Sequence, residues 1–292
     1  MLYSNYEKIK FGDGIMNKTI TQGTIISSLR SKKYLDEVCF GVIITARCDL
    51  ANKKVNKVFF LEALALEDWV LSKFGMQCVL KGKLNDVICN ITNALNKYGL
   101  DWETLKSFSD DEVKIVLEQE VNDKNDSSKI NDLYKKYKEI SNENTNKNDR
   151  KKLCNTYSKL IFESINKIVN GQDMHYVYIP SDGVSSEFKR GLIVDLQEVD
   201  YLSLEEIEDL CSYSIDIKNS SMSTEKKEHY NDRFYIYDGI GYTIPICDIK
   251  SPWLEYLMQH FSNVFSRIGI DTPSKDIMKQ MITEIYSQEI KI

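Results

Sequence analysis

Histidine is scarce in this chain of 292 residues, with His175, His229 and His260 its only copies, none of them in a recognisable motif. A cysteine nucleophile normally needs a histidine base beside it, so there are few ways to build one here. Other signatures are missing too. There is no P-loop and no GxGxxG turn, no HExxH, no GxSxG and no kinase signature. No cofactor and no metal is expected. The seven cysteines, Cys39, Cys48, Cys78, Cys89, Cys154, Cys211 and Cys247, are scattered, odd in number and never spaced as CxxC. That excludes zinc ribbons and disulfide scaffolds. Most of them lie in apolar patterns, where cysteine serves as a small hydrophobe, and a reducing compartment suits them. No apolar run approaches the roughly 20 residues of a membrane span. Residues 1–15 mix acids and bases without the apolar stretch of a leader. The expectation is a soluble, cytoplasmic protein with no membrane partner.

Positive charge is also in short supply. The net charge is −6 and the pI about 5.3. Broad binding to nucleic acid relies on neutralising phosphates, so a nucleic-acid partner is not expected. The lysines of residues 124–167 read as solvated helix faces rather than a basic stripe.

What is present is an ordinary globular composition, 42% hydrophobic and 28% charged. The length fits one elaborated domain or two small ones. The first third is β-like: Gly23-Thr24-Ile25-Ile26, then Val38 to Ala46, then Lys57 to Leu66, with a turn at Asn52-Lys53-Lys54 closing a hairpin. Leu84, Val87, Ile88, Ile91 and Leu95 keep a helical period ending at Gly99. Ser109 to Glu112 is a capping box. Two polar stretches, Asn122 to Lys129 and Ser141 to Asp149, read as loops, and a longer helix carries Leu153, Tyr157, Ile161, Ile165 and Ile168. Strands return at His175–Pro180 and Gly191–Leu196. A second capping box, Ser203 to Glu206, opens a short helix, and Phe234 to Ile246 has the form of a hairpin around Asp238-Gly239. Ser251-Pro252 starts a helix whose apolar face runs through Trp253, Leu257, Phe261, Phe265 and Ile268. Thr272-Pro273 starts another. The expected fold is α+β: an antiparallel SH3-like barrel or curved sheet built from residues 1–66 and 172–250. A helical insertion over 67–171 and a C-terminal helical hairpin over 251–292, packed on the sheet, complete it.

One block concentrates chemical groups. The run Gly41-Val42-Ile43-Ile44-Thr45-Ala46 leads straight into Arg47-Cys48-Asp49. A cation beside a thiol favours the thiolate, so Cys48 is a candidate nucleophile with Arg47 as activator and His175 as the candidate base. The same trio also reads as a structural turn capped by Asp49. Cys247-Asp248 repeats the Cys-Asp pair after another apolar run, although its flanks do not match. Asp195 sits inside an apolar strand, where a carboxylate needs a partner; Arg190 or Arg267 is the expected one.

The blocks "GTIIS", "GVIITARCDLANKK", "YVYIPS", "GLIVDLQEVDYL" and "SPWLEYLMQHFSNVFSRIGI", in that order, resemble a group of uncharacterised bacterial proteins. These share a strand-end Cys-Asp-Leu motif and a terminal helix ending Arg-Ile-Gly. The resemblance covers the β regions and residues from 251 on, and implies a component of anti-phage defence or signalling operons. The opening strands also resemble the SH3-like barrel of MazF-type toxins, departing from it at Gly23-Thr24-Ile25, where the toxins have an Asp. The reading is a non-catalytic regulatory or adaptor protein that binds the product of a neighbouring gene. The alternative is a MazF-like nuclease or Cys-dependent hydrolase using Arg47, Cys48 and Asp49.

Overall fold

The computed structural model describes residues 20–35, 37–141, 146–185, 188–213, 223–234 and 245–266. The protein is α+β, with a curved antiparallel sheet of six strands and eleven helices among the described residues. Strands β1 (Thr24–Leu29), β2 (Cys39–Ile43) and β3 (Lys57–Ala65) form a meander. A single helical turn, α1 (Arg47–Ala51), bridges β2 and β3 where the sequence suggests a hairpin turn. The chain then leaves the sheet for seven helices: α2 (Leu66–Leu71), α3 (Lys73–Asn96), α4 (Trp102–Leu105), α5 (Asp110–Glu120), α6 (Lys124–Ser141), α7 (Lys147–Thr156) and α8 (Ser158–Val169). It returns as β4 (Tyr176–Ile179) and β5 (Leu192–Ser203), passes through α9 (Leu204–Tyr213) and α10 (Thr224–Arg233), and finishes with β6 (Pro245–Asp248) and α11 (Trp253–Ser266). The strand order is β4-β5-β3-β2-β1-β6. Both β regions therefore share one sheet. Among the described residues its edges are β4 and β6, and the sheet is a curled half-barrel.

Strand alternation gives the sheet two buried faces. Ile25, Phe40, Val42, Leu61, Ala63, Val177 and Val194 lie on one face, closed by Leu254 and Leu257 of α11. Ile26, Leu29, Cys39, Ile43, Phe60 and Ile193 lie on the other, in one continuous core with Trp69, Val87, Ile91 and Leu95 of the inserted helices. Gly41 belongs to this second packing: a Cβ there would stand 2.5 Å from Leu29 Cδ1 and 2.9 Å from Ile26 Cγ1. A buried ionic tie joins the insertion to the sheet. Lys147 of α7 bonds Glu37 at 3.0 Å and Asp68 at 3.1 Å, and Arg150 lies beside Glu37.

Several local expectations change. Residues 124–129 are helical rather than a loop, because Asp123 Oδ1 accepts the amides of Asn125 and Asp126 and so starts α6. Likewise α7 begins at Lys147, capped by Asn146, and the long helix over 153–168 is two helices that meet at Tyr157. The Ser109 and Ser203 capping boxes both form. Helix α11 begins at Trp253, one residue after Pro252. The hairpin around Asp238-Gly239 and the helix after Thr272 lie outside the described residues. Of the cysteines whose burial is described, Cys39, Cys154 and Cys247 lie in or against the cores, while Cys48, Cys78 and Cys89 are exposed, so core packing accounts for half of them. No described helix is long and apolar enough to cross a membrane.

Candidate functional site

The arrangement richest in ionisable groups lies on the insertion side of the sheet, where two strands depart from regular pairing. Leu61 pairs Val199 and Ala63 pairs Val194, so two steps along β3 match five along β5. The surplus residues of β5, around Asp195 to Glu198, bulge out of the ladder. Bulges of this kind re-aim side chains and are frequent beside active sites. Strand β1 has its own bulge, with Ser28 at φ 61°, between the pairs Ile26–Gly41 and Leu29–Cys39. It turns Leu29 to Lys33 across the same region. The last turn of α10 forms the far wall, where Arg30 N–H donates to Arg233 O and Leu29 bridges Phe234.

A cavity of about 620 Å³ opens between these pieces. Its lining includes Phe60 and Glu62 of β3, Glu198 and Asp200 of β5, Leu29 and Leu35 near β1, and Arg233 of α10. Glu62 is only 8% exposed. Its one hydrogen bond among the described residues comes from the Ser31 hydroxyl, and no described cation lies within ion-pair distance of it. Burial pushes its carboxyl up to about 7, although the Ser31 bond acts the other way; the charges of Glu198, Asp195 and Asp200 add to the rise.

A closed polar network backs the cavity. Asp195 Oδ2 accepts from Lys33 Nζ and from the Tyr34 hydroxyl, both at 2.7 Å, and Asp195 Oδ1 accepts the Gln197 amide at 3.0 Å. Lys33 also reaches Glu198 at 3.3 Å. Burial opposes the charge on Lys33, but Asp195 and Glu198 outweigh it and raise its pKa. Burial, reinforced by the Asp195 charge, drives the Tyr34 and Tyr176 hydroxyls well above the ordinary tyrosine value. Asp195 thus meets the need for a partner that its apolar strand imposes. Among the described residues the partners are Lys33 and Tyr34, not the expected Arg190; Arg267 lies outside the described residues.

The Arg47-Cys48-Asp49 trio lies elsewhere, on α1. Arg47 and Cys48 are exposed. The Cys48 thiol is 3.6 Å from Asp49 Oδ1, and the Asn52 amide group donates to the Cys48 carbonyl at 2.6 Å. Asp49 does not cap the turn: the residue before α1 is Ala46, with no side-chain cap. None of the three histidines is hydrogen-bonded to Cys48. His175 is exposed at the start of β4, and β5 and β3 stand between β4 and β2, so three strand spacings of about 4.8 Å separate them along the sheet. His229 bonds Glu206 at 3.1 Å, and His260 stacks on Tyr256 with ring centres 4.4 Å apart. The two Cys-Asp pairs do fall at the same end of the sheet. Gly23 at the start of β1 donates to Ile43 O and accepts from Ile249 N. Asp248, however, is taken up by the Thr24 hydroxyl at 2.7 Å.

Glu62 escapes the motif search, yet it had a signal. It is the only charged residue in the run Val58 to Ala65, at a position whose alternation points to a buried face. Ser31 and Lys33, in a polar stretch, carried none. Among the described residues no group of three His, Cys, Asp or Glu side chains is arranged to hold a metal ion. The arrangement can therefore bind through charge and transfer a proton at Glu62, and it holds no thiol or hydroxyl nucleophile paired with a histidine. The chain matches no protein-family model, and no curated protein or solved structure matches it.

Proposed function

We propose that this protein is a non-catalytic regulatory or adaptor module that works by protein–protein contact, and that the cavity at the β5 bulge seats a segment of the partner. One observation carries this reading. The cavity is open and of ligand-pocket size, with a charged wall and an apolar rim in which Leu35 stands 72% exposed and Val199 39%. That combination suits a side chain of another polypeptide better than a sequestered reaction. The resemblance to a group of uncharacterised bacterial proteins associated with defence and signalling operons adds the product of a neighbouring gene as the partner. The alternative, a Cys-dependent hydrolase or MazF-like nuclease at Arg47, Cys48 and Asp49, draws no support from an exposed thiol with no histidine bonded to it.

The test is direct. Purified products of neighbouring genes are titrated against the protein and against Leu35→Asp. The expected result is that one of them binds, and that Leu35→Asp weakens it at least about tenfold, the loss of roughly one hot-spot contact. Turnover of RNA or peptide, with no partner bound, overturns the proposal.

A further inference from the structure

Among the described residues, Glu62 is a buried carboxylate with no cation at ion-pair distance. A buried carboxylate is normally paired with a cation or held by several donors. Asp195 has both kinds of partner, in Lys33 and Tyr34. Glu37 has Lys147 and Arg150. Glu206 has His229, Arg233 and the Ser203 amide. Among the described residues Glu62 has the Ser31 hydroxyl alone, and Ser31 is itself held by accepting the amides of Lys33 and Tyr34. The charged groups that act on Glu62 most strongly, Glu198, Asp195 and Asp200, are all acids.

Of the cations around the cavity, Lys33, Arg233 and Arg30 are engaged elsewhere, and Lys32 forms no ion pair with Glu62. Lys33 is 2.7 Å from Asp195 and lies 5.3 Å from the centre of the Phe74 ring. Arg233 reaches Asp200, Glu206 and the Tyr201 carbonyl. Arg30 donates to the Phe234 carbonyl at 3.0 Å. Beside Glu62 the cavity is lined by the carboxylates of Glu198 and Asp200 and by apolar carbon from Phe60, Leu29 and Leu35, with Arg30, Lys32, Asp232 and Arg233 completing its charged lining. An ion the size of a metal does not fit this pattern, because no three of the described ligating groups converge. A cation on an apolar stem does. The head would meet Glu62, Glu198 and Asp200, and the stem would lie along the three apolar side chains.

Resting on the interaction role proposed above, we infer that this cavity receives an arginine or lysine side chain from a basic segment of the partner polypeptide, with Glu62 as its buried counter-charge. Free Glu62 keeps a proton near neutrality, and the incoming cation displaces it. Binding should therefore tighten as pH rises through about 7, where the Glu62 carboxyl ionises. The other charged groups lining the cavity are Arg30 and Lys32 from the segment after β1, Glu198 and Asp200 from β5, and Asp232 and Arg233 from α10, with the Lys33–Asp195 pair behind them.

The probes are three labelled peptides, Gly-Gly-Arg-Gly-Gly, its lysine counterpart and its citrulline counterpart, the last being a neutral copy of arginine. Fluorescence anisotropy is read against the full chain, Glu62→Gln, Asp200→Asn and the distant control Asp111→Asn. The expected result is that the arginine or lysine peptide binds at least about tenfold more tightly than the citrulline peptide. Glu62→Gln should remove most of that preference and its pH dependence, Asp200→Asn should weaken binding less, and Asp111→Asn should leave it unchanged. If Glu62→Gln proves unstable, Asp200→Asn against Asp111→Asn decides the same question. Equal binding of the arginine and citrulline peptides overturns the inference. So does equal weakening by Asp200→Asn and Asp111→Asn, or binding of spermidine with no binding of either basic peptide. A neighbouring-gene product that still binds Glu62→Gln at full strength sinks the basic side chain but leaves the adaptor role standing. Failure of every such product to bind sinks the adaptor role itself.

Discussion

Leu61 and Glu62 are adjacent in β3 and point to opposite faces of one sheet. Leu61 enters a layer made of apolar side chains and closed, among the described residues, by helix α11. Glu62 enters a layer that is apolar at its centre but carries Ser31, Lys33, Asp195 and Glu198 at the β5 bulge. The first face needs only shape and burial, which one amphipathic helix supplies. The second needs specific donors and counter-charges, and these come from distant segments: the loop after β1, the bulge of β5 and the end of α10. The difference shows how a strand divides its labour. Alternation hands one face to stability and frees the other to hold charge, provided the fold delivers partners to it.

The comparison can be broken most forcefully at Asp195. Asp195→Ala would strand Lys33, whose side chain is 12% exposed, and the Tyr34 hydroxyl. Removing one partner of a buried pair costs about 3–5 kcal/mol. Chemical denaturation measures it, and a loss below about 1 kcal/mol would mean that the polar face is not structural. On the other face, Leu257→Ala deletes a fully buried side chain and should cost about 2–5 kcal/mol by transfer and cavity terms. A near-zero value would mean that α11 is not essential to that layer.

Glu62→Gln sharpens the contrast because its effect depends on pH. Glu62 holds its proton up to about 7 in the folded protein, against an ordinary value of 4.5. Between those values the folded state binds more protons than the unfolded state, so stability falls as pH rises through them. The glutamine variant should match the parent below about pH 4.5 and exceed it above pH 7 by up to about 3 kcal/mol, taking about 1.4 kcal/mol for each pH step. Denaturation midpoints of both proteins across that span provide the check. A constant difference between them would show that Glu62 is not held neutral. The smallest effects belong to α1. Cys48→Ala and Asp49→Ala should each stay within about 0.5 kcal/mol, because Cys48 is exposed and Asp49 caps nothing. Full loss of cellular function in a folded Cys48→Ala protein would restore the thiol as the centre of activity.

Much of the architecture is written in local pattern. The alternation of Val58 to Ala65, the helical period from Leu84 to Leu95 and the two Ser-Glu capping boxes depend on neighbours within a few residues, and each forms as its pattern implies. The curved antiparallel sheet follows from those strands. The errors are equally local in origin. Residues 124–129 look like a loop because they lack apolar side chains, yet the Asp123 cap and the buried Ile130 beyond them suffice to make a helix. The Arg47-Cys48-Asp49 block draws attention because its groups are adjacent in sequence, but adjacency on an exposed turn does not build a site.

By itself, then, the sequence determined the α+β class, the single sheet made from two separated β regions and the side chains of its apolar face, since these depend on periodicity and burial alone. It also determined that Asp195 must find a partner. Which partner it found, and that no described cation would pair with Glu62, was decided only by tertiary structure. The pairing of β3 with β5, the three-residue excess at the bulge and the approach of Lys33 from 162 residues away are long-range events. Electrostatic environment depends on distances in space, and no local pattern encodes those distances.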